Sequence, residues 1–329
     1  IFLINNSFWF FVKSFGLIKL FVIIGHLFFI GLILSASSTI SLLIFLEGLA
    51  FLGYVSVVWN DFNNYGSFIP ILFISSVIPF LLIIWGLMFS SEVFIAIAFL
   101  FKISFFPFLW WFPYMSSFLT FFLFFVFGVV NKVFPILMLI VNQIISVNVI
   151  FFVCEFSILI SLLYLVNSQN DLKVFFAWSS NVNYGWIIII LSQSWLSGIM
   201  YFVLYVGVFS FMLFFLNDSN LFFDQFNNSQ FQEIVLISVV LVTFLGLPPF
   251  FGFFYKYILI NSVVGFDYLN VSFFILISLV ILITFNSFIY INLLFKFNLL
   301  KFFFSNNINW VVLVLFISYM LISVEILSI

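Results

Sequence analysis

Four ionisable side chains lie deep inside apolar stretches of the sequence: Glu47, Lys102, Lys132 and Lys256. Because a charge at the centre of a membrane helix costs about 2.5–3.5 kcal/mol on insertion scales, four unpaired charges would cost on the order of 10 kcal/mol or more. Such groups usually pair with one another or face internal water, and they mark ion or proton paths. The four residues therefore predict a proton conductor embedded in a membrane.

Glu47 and Lys102 have opposite charges at a similar predicted depth. Glu47 lies roughly 12 Å along its helix from the polar residues 35–38, and Lys102 lies roughly 15 Å from Glu92, at 1.5 Å per residue. An opposite charge that approaches or withdraws changes the proton affinity of a buried group. We expect a pair that opens and closes, as a pump requires; the alternative is a static ion pair that holds two helices together.

The other two lysines each lie near proline. Lys132 has Asn131 beside it and Pro135 one turn later, and Lys256 comes seven residues after the second proline of GLPPFFGFFYK. Lys132 is a candidate central relay group. Lys256 is a second candidate, unless its helix ends early and its amine extends to the membrane interface.

Further polar residues fall inside apolar segments. Glu155 is a candidate relay carboxylate whose lysine partner the sequence does not identify. His26 reads as a helix-packing residue rather than a proton carrier. Four residues of AWSSNVNYGW either support a water-filled path or hydrogen-bond neighbouring helices: Ser179, Ser180, Asn181 and Asn183.

Composition indicates lipid as the solvent, because 67% of the residues are hydrophobic, 5% are charged and the mean hydropathy is +1.43. The single Cys154 excludes a disulfide framework or a CxxC pair within the chain, and the single histidine excludes paired-histidine haem ligation. No nucleotide-binding motif is present, and the net charge of −2 gives no reason to expect a nucleic-acid partner. Any coupled electron transfer must therefore occur in another chain.

The fold class that follows is an all-α polytopic membrane protein with about eleven transmembrane helices. A span needs about 20 apolar residues, and polar breaks such as NDFNNYG and NSQND separate the spans. No cleavable leader is expected. The predicted helices cover 15–36, 39–58, 67–89, 92–112, 116–141, 146–166, 172–192, 195–216, 233–260, 271–295 and 308–328.

The helix order suggests two inverted five-helix repeats with broken helices. In each group of five, the fourth helix carries both proline and lysine: Lys102 with Pro107, and Pro248-Pro249 with Lys256. Interrupted helices at matching positions of inverted repeats indicate an ion site near the midplane. The predicted divisions are an N-terminal segment 1–14, a first repeat 15–141, a second, inverted repeat 146–295, and a C-terminal transmembrane helix 308–328.

An odd number of spans places the two termini on opposite sides of the membrane. The N-terminal side then carries five lysines: Lys13, Lys19, Lys173, Lys296 and Lys301. The other side carries Glu92, Asp267 and Glu325. The positive-inside tendency places the N-terminus in the matrix of a mitochondrion, and 59 Phe with no Arg fits an AT-rich mitochondrial gene.

Five segments, in this order, resemble subunit 2 of the respiratory NADH:ubiquinone oxidoreductase, complex I, which is an antiporter-like membrane-arm subunit. They are FLEGLAFLGY, FKISFFPFLWWFP, NKVFP, SSNVNYGW and GLPPFFGFFYK, and they span residues from about 39 to 260. The resemblance places the family's key acid on Glu47 and its broken-helix lysine on Lys102. Lys132 and Lys256 match the lysines that follow.

Three departures from the family pattern concern proton-carrying side chains. Leu109 and Asn183 stand where the family has histidine, and Tyr114 stands where it has glutamate. If the family relays protons through those groups, water, Asn or Ser must serve here.

The resemblance implies a proton-translocating subunit of the inner mitochondrial membrane, with its N-terminus in the matrix and its C-terminus on the intermembrane-space side. It also implies that NADH, FMN, iron–sulfur clusters and ubiquinone are held by other subunits, with no cofactor in this chain. Its expected partners are other membrane-arm subunits, including antiporter-like ones, and membrane lipids. Two alternatives stay open: a free-standing cation/proton antiporter, and a structural spacer subunit of a respiratory assembly.

Overall fold

The computed structural model describes residues 21–33, 35, 39–60, 69–141, 146–215, 240–246, 251–264 and 273–296. Nearly all of these residues are helical, and none of them lies in a strand. The predicted all-α class is therefore confirmed for the described part of the chain. Several predicted features lie outside the described residues: the segment 1–14, the helix 308–328, the proline pair, Lys13, Lys19, Asp267, Lys301 and Glu325.

The helices follow one another closely along the described chain. We number them α1 Phe21–Ile33, α2 Thr39–Asn60, α3 Ile69–Met88, α4 Glu92–Ile103, α5 Trp111–Ser116, α6 Phe121–Phe125, α7 Asn131–Val141, α8 Val147–Asn167, α9 Leu172–Leu191, α10 Trp195–Phe215, α11 240–245, α12 Phe251–Val264 and α13 Phe273–Lys296.

Four of the described helical stretches are long and apolar enough to cross a membrane: Phe121–Val141, Val147–Asn167, Leu172–Leu191 and Ile277–Leu294. The first of these joins α6 and α7 through a π-helical segment. Shorter apolar stretches lie in α1, α2, α3 and α10. The chain thus has the helices of a polytopic membrane protein, while the total of eleven spans and the two repeats stay predictions.

The described residues form two compact units. The first combines the chain up to Ile103 with Phe118–Met138, and the second combines Ser104–Ser117 with the chain from Leu139 onwards. In the second unit α9 is the central helix, in contact with α5, α8, α10 and α12. The Asp171 carboxylate caps α9 by accepting from the Lys173 backbone N–H at 3.0 Å, which satisfies one of the free donors of the first turn.

The predicted helix 92–112 is interrupted, as its proline indicated. Helix α4 ends at Ile103, and α5 begins at Trp111. Pro107 has no N–H to offer the carbonyl four residues earlier, and that carbonyl belongs to Ile103. Ser104 then takes a left-handed backbone conformation with φ +62°, so the chain leaves the helix at this point.

The predicted helix 233–260 is also interrupted in its described part. Helix α11 ends at Gly246, whose φ of +77° favours glycine. Gly252 packs so closely on Thr243 that an added Cβ would lie 1.5 Å from the Thr243 carbonyl oxygen. In one continuous helix these residues would be about 13.5 Å apart, so α12 must fold back beside α11.

The predicted helix 116–141 begins later than expected. Its first residue is Phe121, because Thr120 is extended and its hydroxyl accepts from the Leu123 N–H as an N-cap. The stretch also contains a π-helical segment, Val126–Val130, between α6 and α7. The start at 116 was wrong, since Ser116 ends the short helix α5.

Candidate functional site

The predicted ion pair between Glu47 and Lys102 is present in the first unit. The Lys102 ammonium donates to Glu47 Oε1. Glu47 lies in the interior of α2 and Lys102 in the last turn of α4, where the broken helix leaves its final carbonyls without intrahelical partners. The side chains are 22% and 10% exposed, so both charges are largely removed from solvent and need each other.

A cleft of about 340 Å³ opens beside Glu47. Its walls come from α2 and α3: Glu47, Gly48, Phe51, Tyr54, Ser76, Val77 and Phe80. The Tyr54 hydroxyl hydrogen-bonds with Ser75 and Ser76 at this wall. Glu47 therefore lines this cleft and also bonds to Lys102.

Lys132 is fully buried in the same unit, on the first turn of α7. The N–H of Asn131, just before it, bonds to the carbonyl of Val126, five residues earlier, which is the wide π turn. Gly53 of α2 packs against Phe127 and Asn131, where an added Cβ would lie 3.0 and 3.3 Å from their side chains. The helix that carries Glu47 therefore lies against the segment that orients Lys132, and π segments are frequent at functional sites.

Lys256 lies at the second helix break. Its ammonium donates to the Leu245 carbonyl at 2.5 Å, at the end of α11, where carbonyls have no helical partner. Gly246 lies against the stem of Lys256, since an added Cβ would be 2.5 Å from Lys256 Cδ. The amine thus binds the broken helix end, and the alternative of an amine extended to the interface is not what the described residues show.

Glu155 has a polar partner of a different kind. Its Oε1 accepts from the Ser278 hydroxyl at 2.9 Å, which joins α8 to α13. Within the described residues, no lysine lies within ion-pair distance of this carboxylate. A lysine partner for Glu155 therefore stays unidentified.

The polar residues of α9 hydrogen-bond neighbouring elements. Asn181 Oδ1 accepts from the Ser104 hydroxyl at 2.9 Å, and Asn183 Oδ1 accepts from the Tyr201 hydroxyl at 3.0 Å. The Asn183 amide also donates to the Ser179 carbonyl at 2.9 Å. Bonding between helices, one of the two predicted roles, is thus present at Asn183, whereas Asn181 bonds to the turn that follows α4.

Two other residues discussed in the sequence analysis, His26 and Lys173, are buried in the structure. His26 is buried, and its Nδ1 lies 2.7 Å from the Val22 carbonyl one turn earlier, in agreement with a packing role. Lys173, expected at the membrane face that holds the N-terminus, is on the first turn of α9 and is buried.

Five buried tyrosines form a group that was not predicted from the sequence and is here called the tyrosine cluster. Each is at most 2% exposed. They come from four helices of the second unit: Tyr184 of α9, Tyr201 and Tyr205 of α10, Tyr255 of α12 and Tyr290 of α13. The one signal in the sequence was the spacing of four between Tyr201 and Tyr205, which puts both on one helix face.

No protein-family model matches the chain. It is 29% identical over 184 residues to NADH-ubiquinone oxidoreductase chain 2 of Pisaster ochraceus, a match that covers 53% of this chain and 51% of that protein. The protein of the same name from Anopheles gambiae is 29% identical over 188 residues, which cover 54% and 53% of the two chains. The matches span about half the length of these curated relatives. They confirm the resemblance to subunit 2.

Two solved structures have a similar fold. One is a chain of respiratory complex I from Thermus thermophilus with bound aureothin, with a TM-score of 0.68, 14% identity and coverage of 84% of this chain and 69% of that chain. The other is a chain of the membrane-bound sulfane sulfur reductase, an archaeal respiratory membrane complex, with a TM-score of 0.61, 14% identity and coverage of 88% and 69%. At such identity the likeness concerns the fold alone.

Proposed function

We propose that this chain is a proton-translocating membrane-arm subunit of NADH:ubiquinone oxidoreductase, in which quinone reduction in other subunits drives protons through a buried Glu/Lys relay. The ion pair between Glu47 and Lys102 carries this proposal. It joins a largely buried acid to a lysine at a helix break, beside a cleft that can hold water. The relatives named as NADH-ubiquinone oxidoreductase chain 2 support the assignment to this complex.

The Glu47–Lys102 pair acts as the switch. While the pair is closed, each charge stabilises the other. When the pair opens, each group loses its counter-charge, so Glu47 can take up a proton and Lys102 can release one to the next group. The α4 break lets the lysine move, because the residues beyond Ile103 are not held in a continuous helix.

Lys132 is the central relay and Lys256 the exit relay in this scheme, with Glu155 as a further carboxylate on the path. Lys132 is fully buried, so a proton that it gains or loses changes a charge in a low-dielectric environment. Lys256 lies at a broken helix end, as ion-coupling groups do in transporters built from inverted repeats. The scheme keeps the eleven-helix architecture with two inverted repeats.

The proposed location is the mitochondrial inner membrane, with the N-terminus in the matrix and the C-terminus on the intermembrane-space side. Its partners are other membrane-arm subunits and lipids, and the redox cofactors belong to those other subunits. A free-standing antiporter would purify without such an assembly, and a spacer subunit would assemble but carry no protons.

The experiment replaces the pair in the assembled complex, as Glu47→Gln, Lys102→Met and both together. Proton uptake and NADH oxidation are measured on the same sealed vesicles. Each single change leaves one largely buried charge without its partner and lowers stability by up to about 3–5 kcal/mol, whereas the double change removes both charges and costs less. All three variants should lose pumping. Glu92→Gln, an exposed carboxylate on the helix of Lys102, is the matched control and should pump normally.

The double variant decides between a pump and a spacer. If it assembles fully and still pumps, the pair only holds α2 and α4 together, and the spacer function is favoured. If the chain is recovered outside any large assembly and exchanges cations for protons by itself, the antiporter function is favoured.

A further inference from the structure

The tyrosine cluster joins helices that carry the second half of the proposed relay. The rings of Tyr184 and Tyr205 are 5.6 Å apart between centroids, and those of Tyr201 and Tyr255 are 5.2 Å apart. All five side chains are buried, so their hydroxyl groups lie inside the unit instead of reaching its surface.

The buried oxygens without a hydrogen-bond partner among the described residues include two on these helices that matter here. One is the hydroxyl of Tyr205, which is fully buried, and the other is Oδ1 of Asn286, whose side chain is 7% exposed. Asn286 is one turn before Tyr290 and shares its face of α13. Because buried polar atoms almost always bond to protein or to ordered water, these two oxygens need water as their partner.

The cluster also connects two residues of the site described above. At one end, the Tyr201 hydroxyl donates to Asn183 of α9 at 3.0 Å. At the other end, the Tyr255 hydroxyl donates to the Phe244 carbonyl at 3.1 Å, and the next residue, Lys256, donates to the Leu245 carbonyl. Tyr201 and Tyr255 are in ring contact, so two tyrosine side chains connect Asn183 with the residue next to Lys256.

We propose that the tyrosine cluster is a binding site for internal water that passes protons between the Asn183 end of α9 and Lys256. The inference rests on the proposed function, because it supplies the proton carriers that the amide of Asn183 cannot provide. In each step a phenol or water oxygen accepts a proton and releases the one it held to the next oxygen. The neutral amine of Lys256 accepts the last proton and becomes ammonium. Only O–H and N–H bonds exchange, and nothing is oxidised or reduced.

The test is Tyr205→Phe in the complete respiratory assembly. This change keeps the ring and its contact with Tyr184 but removes the hydroxyl that needs water. We expect normal assembly and a proton-uptake rate lower by about fivefold to tenfold, which is the factor that corresponds to one lost hydrogen bond. Tyr257→Phe is the matched control: it removes a phenol from α12, the helix of Tyr255, but this side chain is 40% exposed, and pumping should be unchanged.

The opposite result has a clear physical meaning. If the cluster is dry, removing an unpartnered buried hydroxyl is neutral or stabilising, and Tyr205→Phe will pump at the wild-type rate with equal or higher heat stability. That result would overturn the proposal. Lys256→Met is measured alongside: if it lowers pumping while Tyr205→Phe does not, only the water site fails, and if neither lowers pumping, the proposed function fails as well.

A second measurement does not depend on any variant. A structure of the wild-type assembly at a resolution that shows ordered water should contain a water within hydrogen-bond distance of the Tyr205 hydroxyl. A Tyr205 hydroxyl that contacts only apolar atoms there would overturn the proposal.

Discussion

In the described part of this chain, three ionisable side chains with little exposure have three different kinds of partner. Glu47 has the opposite charge of Lys102, Lys256 has the carbonyl of a broken helix, and Glu155 has the hydroxyl of Ser278. An ion pair and a carbonyl contact differ in what happens when the charge leaves. Breaking a buried pair leaves a costly charge behind, whereas a vacated carbonyl can bond to water. The first arrangement therefore suits a switch, and the second suits a relay.

Ser104, at the α4 break, gives a testable prediction about the stability of the assembly. Its φ of +62° is unfavourable for a residue with a Cβ, and its hydroxyl donates to buried Asn181. Ser104→Ala keeps the unfavourable conformation and loses the hydrogen bond, at a cost of about 1–3 kcal/mol. Ser104→Gly loses the same bond but relieves the backbone by about 1 kcal/mol. The midpoint of heat inactivation of the purified assembly should therefore fall further for Ala than for Gly.

Ser90 serves as the control for this comparison. It also has positive φ, +48°, but it is exposed and its hydroxyl bonds to the adjacent Phe89 carbonyl. Ser90→Gly should raise the midpoint slightly or leave it unchanged. Equal midpoints for the two Ser104 variants would show that the backbone conformation at this break carries no cost.

The sequence predicted some of these residue contacts and missed others for a physical reason. Few charged residues lie in the apolar segments of this chain, so the pairing of Glu47 with Lys102 could be predicted from their charge and depth. Serine is common and tolerated anywhere on a helix, so nothing in the sequence singled out Ser278 as the partner of Glu155. The tyrosine cluster was missed because its members come from four helices, and helix periodicity describes only one helix at a time.

Among the elements, α9 is a continuous helix whose ends are well defined. It runs over Leu172–Leu191 with Asp171 as its N-cap, close to the predicted 172–192. Twenty residues of α-helix are about 30 Å long, which matches the hydrocarbon core of a bilayer. The residues that flank α9 should therefore lie on opposite sides of the membrane.

Cysteine labelling tests that span. Asn170→Cys and Ser194→Cys place a thiol at an exposed position just before and just after α9, and the natural Cys154 is buried, which keeps the background low. A membrane-impermeant maleimide should label residue 170 from the matrix side and residue 194 from the intermembrane-space side. Labelling of both from one side would contradict the predicted orientation of α9.

Proline does not always mark the end of a helix in this chain. Pro107 predicted the interruption of α4, and the helix ends at Ile103, where the missing N–H is needed. Pro135, by contrast, lies inside α7, and the adjustment appears as the π turn before Lys132. Proline thus indicates that regular bonding must change, but the neighbouring packing decides whether the helix stops or widens.

Taken together, the buried charges of this chain are expected to carry protons. Lys132 tests this expectation at a residue outside the Glu47–Lys102 pair. It is fully buried next to the π turn, and Lys132→Met keeps the length of the side chain while removing the titratable amine. If Lys132 serves only packing, exchanging its buried charge for a hydrophobe is neutral or stabilising.

The most direct measurement is therefore proton uptake and NADH oxidation on the same tightly sealed vesicles that carry Lys132→Met. Lys173→Met is the control, since it makes the same chemical change at a buried lysine in the first turn of α9, outside the relay. We expect Lys132→Met to assemble fully and to lose most proton uptake. Its NADH oxidation should also slow, because redox and pumping are coupled in the proposed function. Lys173→Met should keep normal proton uptake and normal NADH oxidation. Full assembly of Lys132→Met with unchanged proton uptake would contradict the relay.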